Sequence, residues 1–394
     1  MIPRFDYSYS LGEAWQALHG LIIRRPAPSP NYTSLFGLSS VYEVAKARTG
    51  IVYALKALQL RPNAKIGVQP YTCSSVMAAI VAVGCCPVFI DINQSLTLDE
   101  VDLNRKVDRL DALIVTHSFG LSADINLIKQ LAGHLPIIED CAHAFMSTYQ
   151  QAPVGSFFDM AVFSFGYGKF PVLGSGGLIV VNNPRYNQAV LEQVTSLQAP
   201  GTFNEIQFIG QRYLFSLLHS RLVFGLIHPI LSWLRTNRKV ATYQDSEKRP
   251  FRSAQFQLDP SLKKQFVLVQ KQQQHVKLIG HGIKSCNTPM HNVTSGGNGF
   301  AFVILSDERD RLYDYLIQEG IGAGKHFEYA ESWAQAFGYV PGDCPAFEQL
   351  VGKVLTVPSY HTLTQRDINR INKTLQAYYR TFGSLQRTEN KHPA

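Results

Sequence analysis

Short apolar runs and helical patterns alternate along most of the chain. Runs typical of buried strands occupy residues 65–70, 87–91, 112–117, 136–140, 160–165 and 177–182. Apolar side chains recur at a spacing of three to four over residues 39–58, 74–83 and 125–133, which predicts helices. This alternation predicts an α/β fold in which helices cover both faces of a mostly parallel sheet.

The pattern changes after residue 255. Helical spacing follows over residues 263–279, 308–319 and 365–379, with one strand over residues 300–305. We therefore predict a large domain over residues 1–255 and a smaller α+β domain over residues 256–394. Residues 1–35 are rich in proline and aromatic side chains, and we expect them to wrap the surface of the large domain.

Residues 200–250 interrupt the alternation with an atypical apolar segment. Residues 222–234 read L-V-F-G-L-I-H-P-I-L-S-W-L, which is shorter than the roughly 20 apolar residues that span a bilayer. Basic residues flank this run at Arg221, Arg235, Arg238 and Lys239. Two interpretations stay open. One is a helix kinked at Pro229 and buried in the fold or a dimer. The other is peripheral contact of residues 222–239 with anionic lipid.

Composition narrows the class of protein. The 394 residues carry a net charge of +8, which suits anionic cofactors or substrates, and 45% of them are hydrophobic. No stripe of lysine and arginine interleaved with aromatics indicates nucleic-acid binding. The six cysteines lack metal-ligand spacing, and the N-terminus lacks the apolar region of a signal peptide. We therefore expect a cytoplasmic protein with reduced thiols and no metal, with the membrane surface as the alternative location.

Candidate chemistry concentrates between residues 136 and 181. Asp140 ends one apolar run, Lys169 follows another, and few other charges lie between them. A lysine in an apolar, glycine-rich turn loses its proton more easily than one in water, as imine formation with a carbonyl requires. A buried carboxylate in the same pocket suits the pyridinium nitrogen of pyridoxal phosphate.

These motifs carry a resemblance to a known family. The sequence reads E-D-C-A-H-A at residues 139–144, F-S-F-G-Y-G-K at 163–169 and G-S-G-G at 174–177. Weaker matches lie at residues 88–91, 116–124, 320–326 and 357–360. Together they resemble the DegT/DnrJ/EryC1/StrS family of pyridoxal-phosphate aminotransferases, which act mainly on nucleotide-linked keto-sugars. The resemblance implies the fold of type-I pyridoxal enzymes, pyridoxal 5′-phosphate, glutamate as the amino donor and a homodimer.

Three residues of the first two motifs take catalytic roles in this resemblance. Lys169 would bind the cofactor covalently and then move a proton to or from the substrate carbon. Asp140 would keep the pyridinium nitrogen protonated. His143 occupies the place where the family has glutamine or histidine facing the cofactor ring, although a satisfied core histidine is the alternative.

The phosphate and ring contacts match the family less closely. Ser164 supplies a hydroxyl five residues before the lysine, and Arg48 and Thr49 stand where the family usually shows S-G-T at the start of a helix. The aromatic residue that stacks on the ring corresponds either to Tyr71 or to the position of Cys73. The sequence does not decide between these two.

Three other functions compete with a sugar aminotransferase. Sugar dehydratases of the same family usually lack the lysine, whereas Lys169 is present. A nicotinamide-dependent oxidoreductase needs G-x-G-x-x-G after its first strand, and the similar run at residues 174–177 comes late and precedes a strand. A noncatalytic, membrane-associated member would use the apolar segment.

Overall fold

A computed structural model describes residues 1–24, 30–226, 240, 242, 248–284 and 296–382. The strands in chain order are β1 Ser40–Val44, β2 Lys65–Val68, β3 Cys86–Phe89, β4 Ala112–Thr116, β5 Ile137–Asp140, β6 Thr148–Tyr149, β7 Ala152–Pro153, β8 Met160–Ser164, β9 Gly177–Val181, β10 Phe302–Leu305 and β11 Val354–Val357. Seven of them form a sheet in the order β1-β9-β8-β5-β4-β2-β3.

Only β9 runs against its neighbours in this sheet, where it pairs antiparallel with β1 and β8. The strands β2, β3, β4, β5 and β8 pair in parallel. Every residue of β4 and β5 is buried, because helices cover both faces of the sheet. The carboxyl ends of β4, β5 and β8 therefore meet at one edge, where ligands bind in open α/β sheets.

The helices surround this sheet and build a second core beside it. They are α1 Leu11–Ile22, α2 Thr33–Phe36, α3 Ala47–Ala57, α4 Ser74–Ala82, α5 Glu100–Lys106, α6 Ile125–Ala132, α7 Asn187–Thr195, α8 Thr202–Leu218, α9 Arg252–Gln255, α10 Lys263–Ile283, α11 Arg309–Gln318, α12 Ala330–Gln335, α13 Pro345–Val351 and α14 Gln365–Phe382. The antiparallel pair of β10 and β11 packs with α10, α11 and α14 into the second core.

The sequence predicted this architecture but missed several elements, among them α1, α8 and β11. The mostly parallel sheet, its helical cover and the smaller α+β unit are confirmed. The helix predicted from residue 39 was wrong at its start, because Ser40–Val44 is a strand paired with Gly177–Val181. Its valines and tyrosine favour a strand, and the helix begins at Ala47. The domain division at residue 255 stays a prediction.

The N-terminus ties the two cores together. Ile2 lies in the second core, where its N–H donates to the Gly320 carbonyl at 2.9 Å. Tyr9 lies against α8, where its N–H donates to Ser216 Oγ at 2.8 Å. We call residues 2–9 the N-terminal strap. It crosses the molecule between these two anchors and passes over the turn that carries Lys169, because Phe5 lies close to Gly168.

The apolar segment is described only in part. Residues 221–226 are helical, with Phe224 buried and Leu222 and Leu226 exposed. Arg221 donates two hydrogen bonds to Asp367, at 2.9 and 2.8 Å. The predicted kink at Pro229 and the remaining basic flank lie outside the described residues. No helix within the described ranges is long and apolar enough to cross a membrane.

Candidate active site

Asp140 and Lys169 follow two neighbouring parallel strands at the ligand-binding edge. Asp140 ends β5, is only 4% exposed, and accepts one hydrogen bond from the Ala142 N–H at 3.1 Å. Burial raises the pKa of its carboxyl, while the Ala142 N–H, the charges of Lys169 and His117 and the nearby Thr116 hydroxyl oppose this shift. The site thus holds a buried carboxylate for which the loss of water outweighs the contacts that favour its charge.

Lys169 lies five residues beyond β8, in a turn where Gly168 adopts a φ of +71°. Burial lowers the pKa of the Lys169 amine, and the charge of Arg4 lowers it further. Cys73 and Asp140 act in the opposite direction, so both lie within electrostatic reach of the amine. A depressed pKa favours the neutral amine, which is the form that attacks carbonyl carbon and accepts protons.

His143 presents a hydrogen-bond donor that finds no acceptor in the described part of the chain. Its Nδ1 accepts the Phe119 N–H at 3.3 Å, so the neutral ring carries its proton on Nε2. Burial holds the pKa of His143 well below its usual range, which keeps the ring neutral. Within the described ranges, the buried Nε2 finds no hydrogen-bond partner. The ring itself stacks on Phe300 at 4.4 Å.

The first turn of α3 lies beside the end of β8. Gly177 pairs with Ser164, and a Cβ on Gly177 would stand only 3.1 Å from the Ala47 nitrogen, so glycine permits this approach. No side chain caps α3 at Lys46. Thr49 is fully buried, and its Oγ1 has no partner among the residues described. Free N–H groups at an uncapped helix start and the unpartnered Thr49 hydroxyl together suit the binding of an anion such as phosphate.

The structure places the two candidates for ring stacking in different surroundings. Tyr71 is fully buried, and its hydroxyl donates to the His326 carbonyl at 2.9 Å. Its ring packs edge-on against Phe327, with 5.4 Å between centroids, as a core residue does. Cys73 is half-buried at the start of α4 and lies on the side that faces Lys169. Arg48 is half-buried in the first turn of α3.

Arg4 lies beside the candidate site, and reasoning from the sequence missed it. It lies on the N-terminal strap, and its Nη2 is 2.6 Å from His326 Nδ1. A side chain at Gly324 would collide with this guanidinium, since a Cβ there would lie 2.0 Å from Arg4 Cζ. Burial is the main cause of the low pKa values of Lys169 and His143, and the charge of Arg4 lowers both of them further. A single arginine in a proline- and aromatic-rich stretch carried no motif signal.

Two landmarks of the sequence prove to be structural. Asp91 accepts the Ala346 and Phe347 N–H groups at 2.9 and 2.8 Å and so caps α13. The cluster of His117, Glu139 and Cys141 has ligand atoms within 4.8 Å of one another. Both His117 nitrogens are already engaged, by Glu139 at 3.1 Å and by the Ala123 N–H at 3.2 Å. The imidazole therefore has no lone pair left for a metal.

Comparison with known proteins identifies the family of this chain. A family model described as the DegT/DnrJ/EryC1/StrS aminotransferase family matches residues 33–243 and 259–376. The chain belongs to this aminotransferase family.

The family relatives match this aminotransferase over most of its length. A UDP-N-acetyl-3-dehydro-alpha-D-glucosamine 3-aminotransferase of Acidithiobacillus ferrooxidans is 24% identical over 93% of this chain and 89% of its own. The spore coat polysaccharide biosynthesis protein SpsC of Bacillus subtilis is 23% identical over 86% and 85%. A putative sugar aminotransferase of Streptococcus pneumoniae, solved in its PMP form, superposes with a TM-score of 0.77 at 16% identity, over 97% of this chain and all of that one. The type-I fold is thereby confirmed.

The cofactor of this family is pyridoxal 5′-phosphate, and the residues present fit it. The helix start at Ala47, the orphaned Thr49 hydroxyl and Ser164 offer phosphate donors on one side. The buried carboxylate of Asp140 and the Nε2–H of His143 offer partners for the pyridine ring. Lys169 offers the amine for covalent attachment. The Thr49 hydroxyl and the His143 Nε2–H have no hydrogen-bond partner among the described residues, and the cofactor would provide one.

Proposed function

We propose that this enzyme transfers an amino group from glutamate to a nucleotide-linked keto-sugar, in the biosynthesis of a surface polysaccharide or an amino sugar. The observation that carries the proposal is the pairing of Lys169 and Asp140 across two adjacent strand ends. Burial lowers the pKa of the Lys169 amine and raises the pKa of the Asp140 carboxyl. The sugar class is supported by the relative named as a UDP-keto-sugar aminotransferase.

Each side chain has a separate task in this proposal. When bound, the cofactor supplies a ring that withdraws electrons from the reacting carbon. Asp140 holds the proton on the pyridine nitrogen, because a carboxylate this poorly solvated gains most from a cationic partner. Lys169, released as a neutral amine, takes a proton from the donor carbon and returns one to the acceptor carbon. His143 Nε2–H donates a hydrogen bond that orients the ring.

The phosphate would be held by the first turn of α3. The candidate donors are the Ala47 and Arg48 N–H groups, the Thr49 hydroxyl and the hydroxyl of Ser164, whose strand partner Gly177 lies next to Ala47. Arg48 adds a positive charge in the same turn. Cys73 leaves the ring face with a small, polarisable side chain, whereas Tyr71 acts through the core beneath it.

The test follows the transferred nitrogen. Purified enzyme with pyridoxal phosphate and ¹⁵N-glutamate is incubated with a panel of nucleotide-linked keto-sugars, and mass spectrometry detects the labelled amino sugar. We expect label in one member of the panel and 2-oxoglutarate in equal amount. The Lys169→Ala variant is the control and should give neither product. A wild-type enzyme that releases 2-oxoglutarate from glutamate but labels no sugar would overturn the substrate class alone.

We further propose a homodimer that covers an exposed apolar face on α1 and α8. These two helices pack against each other, and they carry many large exposed apolar side chains: Leu11, Trp15, Ile22, Phe203, Ile206, Leu214, Leu217 and Leu218. A patch of this kind usually marks an interface. Sedimentation of the wild type should show a dimer, and Trp15→Glu should shift it toward monomer. A monomeric wild type that floats with anionic liposomes would instead assign this face to a membrane.

A further inference from the structure

Lys169 lies in the middle of a closed loop. The Leu173 N–H donates to the Phe165 carbonyl at 2.9 Å, which closes the loop over residues 165–173. Inside it, the Lys169 N–H donates to the Gly166 carbonyl at 3.2 Å. Two of the three residues before the lysine are glycines, which restrict the backbone least. The position of the lysine amine therefore depends on what packs against this loop from outside.

Helix α8 supports the loop with one of its faces. Phe208, Arg212 and Phe215 are four and three residues apart, so they share that face. The Phe215 ring packs against the loop residue Tyr167, with 4.2 Å between centroids. A Cβ on Gly174, just beyond the loop, would lie 3.4 Å from the Phe208 ring. Arg212 lies between these two aromatic contacts on the helix.

The Arg212 guanidinium holds the second half of the loop. Its Nη1 donates to the Leu173 carbonyl at 2.7 Å, and its Nη2 donates to the Val172 carbonyl and to Gln257 Oε1. Its Cζ lies 4.5 Å from the centroid of the Tyr9 ring on the N-terminal strap. The side chain is buried, with the residue 3% exposed. A planar guanidinium fixes the spacing of two neighbouring carbonyls, which a single ammonium group does not.

These contacts leave a buried positive charge that forms no ion pair within the described ranges. Its hydrogen bonds go to two carbonyls and an amide. Glu205, earlier on α8, accepts from the N–H groups of residues 252 and 253, and Glu13 is engaged in the capping box of α1. Burial lowers the pKa of Arg212 to about 10, so the group is still charged at neutral pH. Burying a cation in this way costs stability, and an apolar side chain of similar length would avoid that cost.

We propose that Arg212 is a positioning residue, which fixes the loop of residues 165–173 so that the Lys169 amine meets the cofactor. What the arginine adds over an apolar side chain is the fixed position of two loop carbonyls, three and four residues beyond the lysine. It acts through the loop and not on the reacting atoms. This inference rests on the proposed attachment of the cofactor to Lys169.

The experiment compares two forms of the cofactor on the apoenzyme. Pyridoxamine phosphate has an amine in place of the aldehyde, so it forms no bond with Lys169 and its affinity reports only the phosphate and ring contacts. Arg212→Met should weaken binding of pyridoxal phosphate by at least about tenfold and that of pyridoxamine phosphate by less than about twofold, because only the former needs the lysine in place. Fluorescence titration measures both affinities.

A milder variant and a control accompany this one. Arg212→Lys keeps the charge but not the planar fork, so the ratio of the two affinities should change by about threefold. It decides the question where Arg212→Met does not fold. The matched control is Arg309→Met, which removes a half-buried arginine that donates to the Val351 carbonyl at 3.3 Å. The control should melt at a lower temperature and leave the ratio unchanged.

Two results would overturn the role of Arg212. Equal weakening for both forms of the cofactor would make the arginine a stability residue only, and an unchanged ratio in Arg212→Lys would show that the loop does not depend on the fork. Borohydride labelling of residue 169 in the wild type separates these results from the proposed function. With the label present, they remove Arg212 alone. A wild type without label on residue 169 would refute the attachment itself, and the role of Arg212 with it.

Discussion

Glu139 and Asp140 are adjacent on β5, yet their carboxylates accept very different numbers of hydrogen bonds. Because successive side chains of a strand point to opposite faces, the two acids enter different surroundings. Glu139 accepts N–H groups from Gly155, Phe157 and Phe158 at 2.8–3.1 Å, and His117 Nε2 lies 3.1 Å away. Asp140 accepts one N–H, at 3.1 Å. Both acids are buried.

Under the proposed function, this difference separates a structural carboxylate from a catalytic one. A buried carboxylate needs several hydrogen bonds to offset the loss of water, and Glu139 has them. Asp140 has fewer of them, the Ala142 N–H and the nearby Thr116 hydroxyl, and burial raises the pKa of its carboxyl. Under the proposed function, this carboxylate takes the pyridine nitrogen of the cofactor as its partner. The same contrast divides His117, with both nitrogens engaged, from His143, with an orphaned Nε2.

Substitution of Lys169 should reduce turnover more than any other change considered. Lys169→Ala removes both the attachment point and the proton carrier, so turnover should fall by at least about 10⁴-fold. Lys169→Arg should fail as well, because a guanidinium stays protonated at neutral pH. Borohydride reduction followed by peptide mapping should find the cofactor on residue 169 in the wild type only. Normal turnover in either variant would remove Lys169 from the mechanism.

Asp140→Asn should separate catalysis from stability. The amide keeps the shape but not the charge, so turnover should fall roughly 10²- to 10³-fold, more than cofactor affinity does. Burial raises the folded-state pKa of Asp140, so the native carboxylate opposes folding above that pKa and this penalty disappears in acid. The apo variant should therefore melt about 2 °C higher than apo wild type at pH 7.5, with little difference near pH 4. Equal turnover would make Asp140 structural too.

Glu139→Gln should have the opposite effect to Asp140→Asn, with a large loss of stability and little change in turnover. It weakens charge-assisted bonds to three N–H groups and His117, so the free energy of unfolding should fall by about 2–4 kcal/mol. Turnover per folded molecule should change less than about threefold, because this side chain faces away from Lys169. Chemical denaturation and active-site titration measure the two quantities. A variant that is stable but inactive would contradict the structural role.

Thr49→Val tests the phosphate side with a smaller change. Valine matches threonine in shape, so it removes the orphaned hydroxyl and leaves α3 in place. Loss of one hydrogen bond to a charged phosphate should weaken pyridoxal-phosphate binding by about tenfold and leave apo stability unchanged or slightly higher. Fluorescence titration of the cofactor measures this. Thr356→Val is the control, because the Thr356 hydroxyl donates to Gly324 in the second core.

Much of this fold could be predicted because its signals are local. The apolar runs of β4, β5 and β8 are short and bounded, and parallel strands covered on both faces need such runs. The ends of these runs suffice to predict that Asp140, Ser164 and Lys169 lie at one edge of the sheet. Local patterns failed for Ser40–Val44, whose strand state depends on a partner about 137 residues later in the chain.

The site was harder to predict where it depends on distant contacts. Arg4 reaches Lys169 and His143 only because Ile2 and Tyr9 anchor the N-terminal strap, and no periodicity encodes that route. The sequence could not show which of Tyr71 and Cys73 packs into the core, which bears on which of them can contact the cofactor ring.

His143→Gln should give the smallest effect and sharpen the comparison with His117. Glutamine Oε1 can accept the Phe119 N–H as Nδ1 does, while its amide replaces the Nε2 donor, so turnover should fall only about threefold. Burial lowers the folded-state pKa of His143, so the unfolded chain takes up a proton first and wild-type stability falls as pH drops below about 6.5. The variant should lose less stability between pH 7 and pH 5 when apo proteins are melted. His143→Leu is the matched control, because it shares this acid tolerance but cannot accept the Phe119 N–H and should lose turnover further. Identical acid sensitivity in wild type and His143→Gln would show that His143 is protonated in the folded protein.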